Sequence, residues 1–329
     1  MKIRRESCTI ADREADRIWL CNDHGEFIEL LSYGARIHSI YIKNRAGVGQ
    51  NLLKSLTNIE DYSCDVHAIG AIQGPYCTTL EMDHPTLFSD SFWKIEGEYV
   101  DEQQASIEMS LEYYLDQADT WQKIYVEVSF SAERAMHISY RLRAKDRLLC
   151  NPYHQLYWNL SDQQTSSIYQ HHLQISSDWI LEESEEYIPT GGQKALSILP
   201  HYNFGEARQL CQVLPKQEHV SCCMQGVALR AGYWLRTLSI DDVQVDLYHI
   251  GSGRRVQIVS TNQMALVAIK ERIWCDNHTD AIATKEDQGI LLAVLSPPID
   301  EMAQRFPSYS LVEPNKTKVV QVHYFFPLL

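Results

Sequence analysis

The sequence predicts an all-β protein, one large antiparallel β-sandwich that takes residues 1–329 as a single domain. Three observations predict it. Apolar and polar residues alternate with a period of two in several runs, helical spacing is never sustained over three turns, and turn-forming residues separate the runs. Successive side chains of a strand point to opposite faces, so such alternation marks half-buried antiparallel strands.

The elements follow in chain order. Asn44-Arg45-Ala46-Gly47 is a turn, and Thr57-Asn58-Ile59-Glu60-Asp61-Tyr62 offers one short helical turn with Thr57 or Asn58 as its cap. Ile107, Met109 and Leu111 alternate with Ser106, Glu108, Ser110 and Glu112. Ile124, Val126, Val128 and Phe130 do the same, as do Met136, Ile138, Tyr140 and Leu142. Ala144-Lys145-Asp146-Arg147 ends that third run in a turn. Tyr169 to Ile175 has strand character, and the acidic run Glu182 to Glu186 suits a solvated strand end or loop. Val243, Val245 and Leu247 form a further strand before the turn Gly251-Ser252-Gly253, and Asp300 to Arg305 offers a second helical turn.

Composition excludes several function classes. The 43 acidic against 29 basic residues leave a formal charge of −14, the wrong sign for a nucleic-acid surface or an anionic membrane. The first residues lack the apolar stretch of an export signal, and no window is apolar for long enough to span a bilayer as a helix. Nine cysteines without a CxxC pair suit reduced, mostly buried thiols, so the expected setting is cytoplasmic. Gly47-Val48-Gly49 and Gly251-Ser252-Gly253 lack the lysine and hydroxyl of a phosphate loop. Asp276 to Asp280 carries an imidazole and carboxylates but no chelating repeat. The adjacent His171 and His172 face opposite ways on a strand, so no metal and no cofactor is expected. Cys222-Cys223 has no neighbouring cationic cluster to lower a thiol pKa, and no Gly-x-Ser-x-Gly elbow is present. The excess is aromatic: 18 tyrosines and 7 tryptophans, which suit either a sandwich core or a surface that packs on the C–H face of a sugar.

The order of short segments is similar to that of the aldose 1-epimerase (galactose mutarotase) family. Leu31-Ser32-Tyr33-Gly34-Ala35, Asn51-Leu52-Leu53 with Glu60-Asp61-Tyr62, and Gly70-Ala71-Ile72-Gln73-Gly74 resemble its opening strands. Tyr157-Trp158-Asn159-Leu160, the run His171 to Asp178, Ile188-Pro189-Thr190-Gly191 and Ser252-Gly253-Arg254 follow in the family's sequence. Phe306-Pro307-Ser308 and Tyr324-Phe325-Phe326 resemble its closing strands. The resemblance implies the family's large antiparallel supersandwich and a small-molecule carbohydrate ligand. It also implies chemistry in which a glutamate takes the anomeric proton while a histidine protonates the ring oxygen. A homodimer is compatible with all of this.

Residue by residue, the resemblance departs at the reacting centre. Aligning Tyr157-Trp158-Asn159-Leu160 puts Gln155 where the family has its catalytic histidine, and His154 points to the other face. Aligning Gly289 to Leu292 and Pro298 puts Ala293 at the glutamate position, with Ile299 at that of the aspartate after the proline. Thr78 and Thr79 replace an asparagine and the sugar-binding arginine, His84 is the counterpart of a second histidine, and Trp121 replaces a phenylalanine. The family's sugar-binding aspartate falls near Gly232-Tyr233-Trp234. The expected carbohydrate contacts are therefore Gln155, Thr79, His84, Trp121 and Trp234, with no catalytic residue matched to the family. The expected function is a carbohydrate-binding member that is non-catalytic or altered in activity. One alternative is an active epimerase with its acid and base relocated to His84, His154, Glu271 or Asp300. Another is a structural partner whose concave face is filled by tyrosine and tryptophan side chains.

Overall fold

A computed structural model describes residues 1–65, 67–75, 87–114, 121–162, 167–183, 189–214, 227–236, 242–270, 289–297 and 310–329. Its described strands form a nine-stranded, a six-stranded and a five-stranded sheet plus two short pairs, and the pairings among the described strands are antiparallel. The alternating runs of the sequence become Gln104–Tyr114, Trp121–Ser131 and Ala135–Ala144 of the nine-stranded sheet, joined there by Val245–His249 and Lys318–Phe325. Ile107, Met109, Val126, Val128, Ile138 and Tyr140 point inward and meet Ala265, Val267, Ile269, Ile290, Leu292 and Val294 of the six-stranded sheet in one apolar core. This two-layer packing buries the inward face of the central strands of both sheets and removes their apolar surface from water.

Local expectations fare unevenly. The 44–47 turn is held by the Asn44 side chain, whose Oδ1 accepts from the Ala46 and Val48 N–H groups at 3.0 and 2.9 Å, while Gly47 supplies a φ of +78°. The first helical turn is a 3₁₀ turn over Ile59–Cys64, and Asn58 stands at its cap position. Its amide bonds the Asp61 carboxylate at 3.2 Å instead of capping the backbone. Tyr169 to Ile175 is not one strand: a 3₁₀ turn, Ile168–Gln170, precedes the strand His172–Ile175. His171 is sealed in the core between the Leu160 N–H and the Ile168 carbonyl, whereas His172 stacks on Tyr248. Of the described thiols only Cys150 is buried; Cys64 and Cys211 are exposed. The turn expected over 300–305 lies outside the described residues, as do Cys222, Cys223 and the 276–280 loop.

Burial of imidazoles sets a pH dependence. Desolvation pushes His38 and His154 down to about 4 and His171 to about 3, from an ordinary value of 6.5. The unfolded chain therefore binds protons near pH 6.5 that the folded chain refuses until far lower pH. Stability from these sites is fully present above about 6.5 and is lost as pH falls from about 6.5 towards 4. Urea midpoints measured across that window are expected to fall steadily, and a flat profile would contradict the buried neutral state.

Candidate functional site

The central strands of the six-stranded sheet, Met264–Lys270 and Gly289–Leu295, are apolar on both faces. Their second face, turned away from the sandwich core, carries Met264, Leu266 and Ala268 beside Leu291, Ala293 and Leu295, all buried. Register arranges these residues in rows. Leu266 lies across from Ala293 on one side and from Gly232 on the other, and Ala268 lies between Leu291 and Arg230.

The edge strand Tyr157–Trp158 completes the rows, with Tyr157 opposite Leu291. The Leu292 N–H reaches the Leu156 carbonyl at 3.3 Å, so the pairing continues past the strand. Two residues further on, this register brings Gln155 across from Ala293, with both side chains on the face that carries Tyr157.

Gln155 is clamped through its backbone: its N–H donates to the Ala71 carbonyl at 3.0 Å and its carbonyl accepts from Gly70 at 2.8 Å. Its side-chain amide donates to the His67 carbonyl at 2.8 Å and to the Tyr157 hydroxyl at 3.0 Å. His154 lies behind it. The Ala35 carbonyl can only accept, so His154 Nε2 carries the proton at 2.9 Å, and Nδ1 accepts from the Tyr140 hydroxyl at 2.6 Å. With both nitrogens engaged and its pKa pushed down to about 4, chiefly by desolvation, His154 is a neutral core residue.

Trp234 is half-buried and packs against the same apolar cluster, across from Met264. Trp121 opens a strand of the nine-stranded sheet instead. Thr79, His84, Glu271, Ile299 and Asp300 lie outside the described residues. Among the described residues no group of three metal-ligating side chains converges, and no helix is long and apolar enough to cross a membrane.

Two charged pairs escaped the sequence reading. Arg230 Nη1 meets Glu183 Oε2 at 2.5 Å with both side chains largely buried, so Glu183, expected on a solvated end, is a partner in an ion pair on this face. Burial pushes its carboxyl up, against the pull of Arg230. An arginine within the mostly apolar strand Val227–Leu235 was the available signal. Behind Gln155, buried Arg36 donates to Asp65 at 2.7 Å and to the Ile69 carbonyl, tying down the segment that presents the His67 carbonyl.

A family model described as aldose 1-epimerase matches residues 86–290. The chain belongs to the aldose 1-epimerase family. An aldose 1-epimerase from Streptococcus thermophilus is 27% identical over 242 residues, 64% of this chain and 67% of that protein. The fold is similar to that of galactose 1-epimerase from Lactobacillus acidophilus NCFM (TM-score 0.78, 16% identity, 100% of this chain and 99% of that one). It is also similar to that of a GalM/aldose epimerase homologue from C. elegans (TM-score 0.74, 16% identity, 98% and 100%). The expected galactose mutarotase-like supersandwich is therefore the fold of this aldose 1-epimerase-family protein.

Proposed function

We propose that this family member binds a carbohydrate on the second face of its six-stranded sheet and does not interconvert anomers itself. One observation supports the reading: Gln155 and Ala293, which the resemblance sets at the family's acid and base positions, lie across from each other by strand register. Mutarotation must remove the anomeric proton and deliver one to the ring oxygen. A carboxamide hydrogen-bonds but does not exchange a proton at neutral pH, and a methyl group does neither. His154 offers no substitute, because its nitrogens are committed to Tyr140 and Ala35 on the opposite face.

Binding chemistry survives that loss. Half-buried Trp234, packed on that apolar cluster, offers an aromatic ring to a sugar's C–H face, and the buried Gln155 amide and Tyr157 hydroxyl add polar groups to the same face. Polarimetry on fresh α-D-galactose and α-D-glucose is expected to follow the buffer rate. Titration calorimetry against free hexoses is expected to show binding that weakens in Gln155→Leu. Accelerated mutarotation overturns the non-catalytic half of the reading, and absence of heat with every hexose overturns the binding half.

A further inference from the structure

We propose that the cavity beside Trp179 is a second carbohydrate site, built for a neutral pyranoside, at the outer strands of the six-stranded sheet and apart from the Gln155 and Ala293 positions. Its volume is about 640 Å³, within the range of small-molecule pockets, and neither Gln155 nor Ala293 lines it. The inference does not rest on the function proposed for the Gln155 and Ala293 positions.

The cavity lies where a strand is irregular. Between Ser177 and Trp179 the pairing with the strand Val227–Leu235 slips, a bulge one strand from the sheet edge. Bulges re-aim side chains, and this one is pinned by its own serine. The Ser177 hydroxyl sits between the carbonyls of Trp234 (2.6 Å) and Trp179 (2.8 Å) and accepts from the Trp179 N–H at 3.2 Å. Trp179 is left 44% exposed although tryptophan is ordinarily well buried. An indole held open to water by a braced bulge is a flat apolar platform on a fixed base.

The polar rim specifies the ligand. Arg236 grips Asp178 with two bonds, Nη2 to Oδ1 at 2.5 Å and Nε to Oδ2 at 2.9 Å, and both side chains remain about half exposed. The exposed edge of this pair presents an acceptor next to a donor, the complement of two neighbouring sugar hydroxyls. Glu206 and Arg208 add one charge of each sign, and Arg208 already donates to the carbonyls of Pro200 (2.6 Å) and Asn203 (3.1 Å). The lining thus has two acidic and two basic side chains, with no surplus cation for a phosphate. A ring with an apolar C–H face and vicinal hydroxyls fits indole and ion pair together.

Methyl β-D-galactopyranoside and methyl β-D-glucopyranoside test this, since a methyl glycoside has no free anomeric hydroxyl and cannot be an epimerase substrate. Saturation-transfer NMR and calorimetry are expected to show saturable binding of at least one. Trp179→Ala is expected to weaken it by about tenfold, the upper end of what an aromatic face contributes. Trp179→Phe is expected to keep most of it. Arg236→Gln, at a half-exposed site that leaves the core untouched, is expected to weaken it too, whereas Gln155→Leu is expected to leave the Trp179-dependent part of the glycoside binding in place. Unchanged binding in folded Trp179→Ala and Arg236→Gln, or no saturable binding to the native chain, overturns the site. Loss in Gln155→Leu alone assigns the glycosides to the Gln155 position and overturns it as well.

Discussion

A chain carrying Gln155→His and Ala293→Glu together is expected to carry fresh α-D-galactose to its anomeric equilibrium well above the buffer rate. Each positioned proton-transfer group typically contributes about 10²–10⁴-fold. The two act as a unit, one taking the anomeric proton while the other delivers to the ring oxygen, so each single substitution is expected to give little. The geometric basis is the register that opposes these two positions on one face. Ala293 is fully buried between Leu266 and apolar neighbours, so an introduced carboxylate would have its pKa raised by desolvation, towards the range of an effective base. Overpacking at that position costs about 1–3 kcal/mol, which urea unfolding of the variant would read. A folded double variant no faster than buffer would falsify the assignment of these positions to the acid and base.

Asp65→Ala is expected to lower stability by about 3–5 kcal/mol, because it strands the Arg36 guanidinium without its counter-charge in the interior. Both side chains are 1% exposed, and the guanidinium carbon lies 4.0 Å from the Tyr62 ring centre. Asp65 also accepts from the His67 and Ile69 N–H groups at 3.0 and 2.7 Å, so its loss frees the segment whose His67 carbonyl receives the Gln155 amide. Replacing both partners at once, Arg36→Met with Asp65→Asn, is expected to recover much of the loss, since a buried pair replaced by uncharged groups leaves no orphaned charge. Urea midpoints of the three variants decide the matter; a loss below about 1 kcal/mol for Asp65→Ala would mean that water compensates Arg36.

How much of this was legible beforehand depends on the residue. The strands of the nine-stranded sheet were readable because one face is core and the other is polar, so 107–111, 124–130 and 136–142 alternate visibly. That His154 and Gln155 face opposite ways was also readable, since adjacent strand residues do so, and the structure has His154 bonded to Tyr140 while Gln155 bonds Tyr157. Met264–Lys270 and Gly289–Leu295 were not readable as two-faced elements, because burial on both faces erases the alternation. The pairing of Arg230 with Glu183 was invisible for another reason. These residues are 47 positions apart and meet only because their strands are neighbours in the sheet.

By itself, the sequence determined the all-β class, the family and the chemical identity of the side chains at the two aligned positions, because periodicity, segment order and residue type are properties of the chain. Only the tertiary structure decided that Gln155 and Ala293 oppose one another, that Glu183 is a buried partner, and that a bulge at Ser177 turns Trp179 towards a cavity. Those facts rest on register between strands distant in the chain and on desolvation, and both come into being only when the sheets pair and pack.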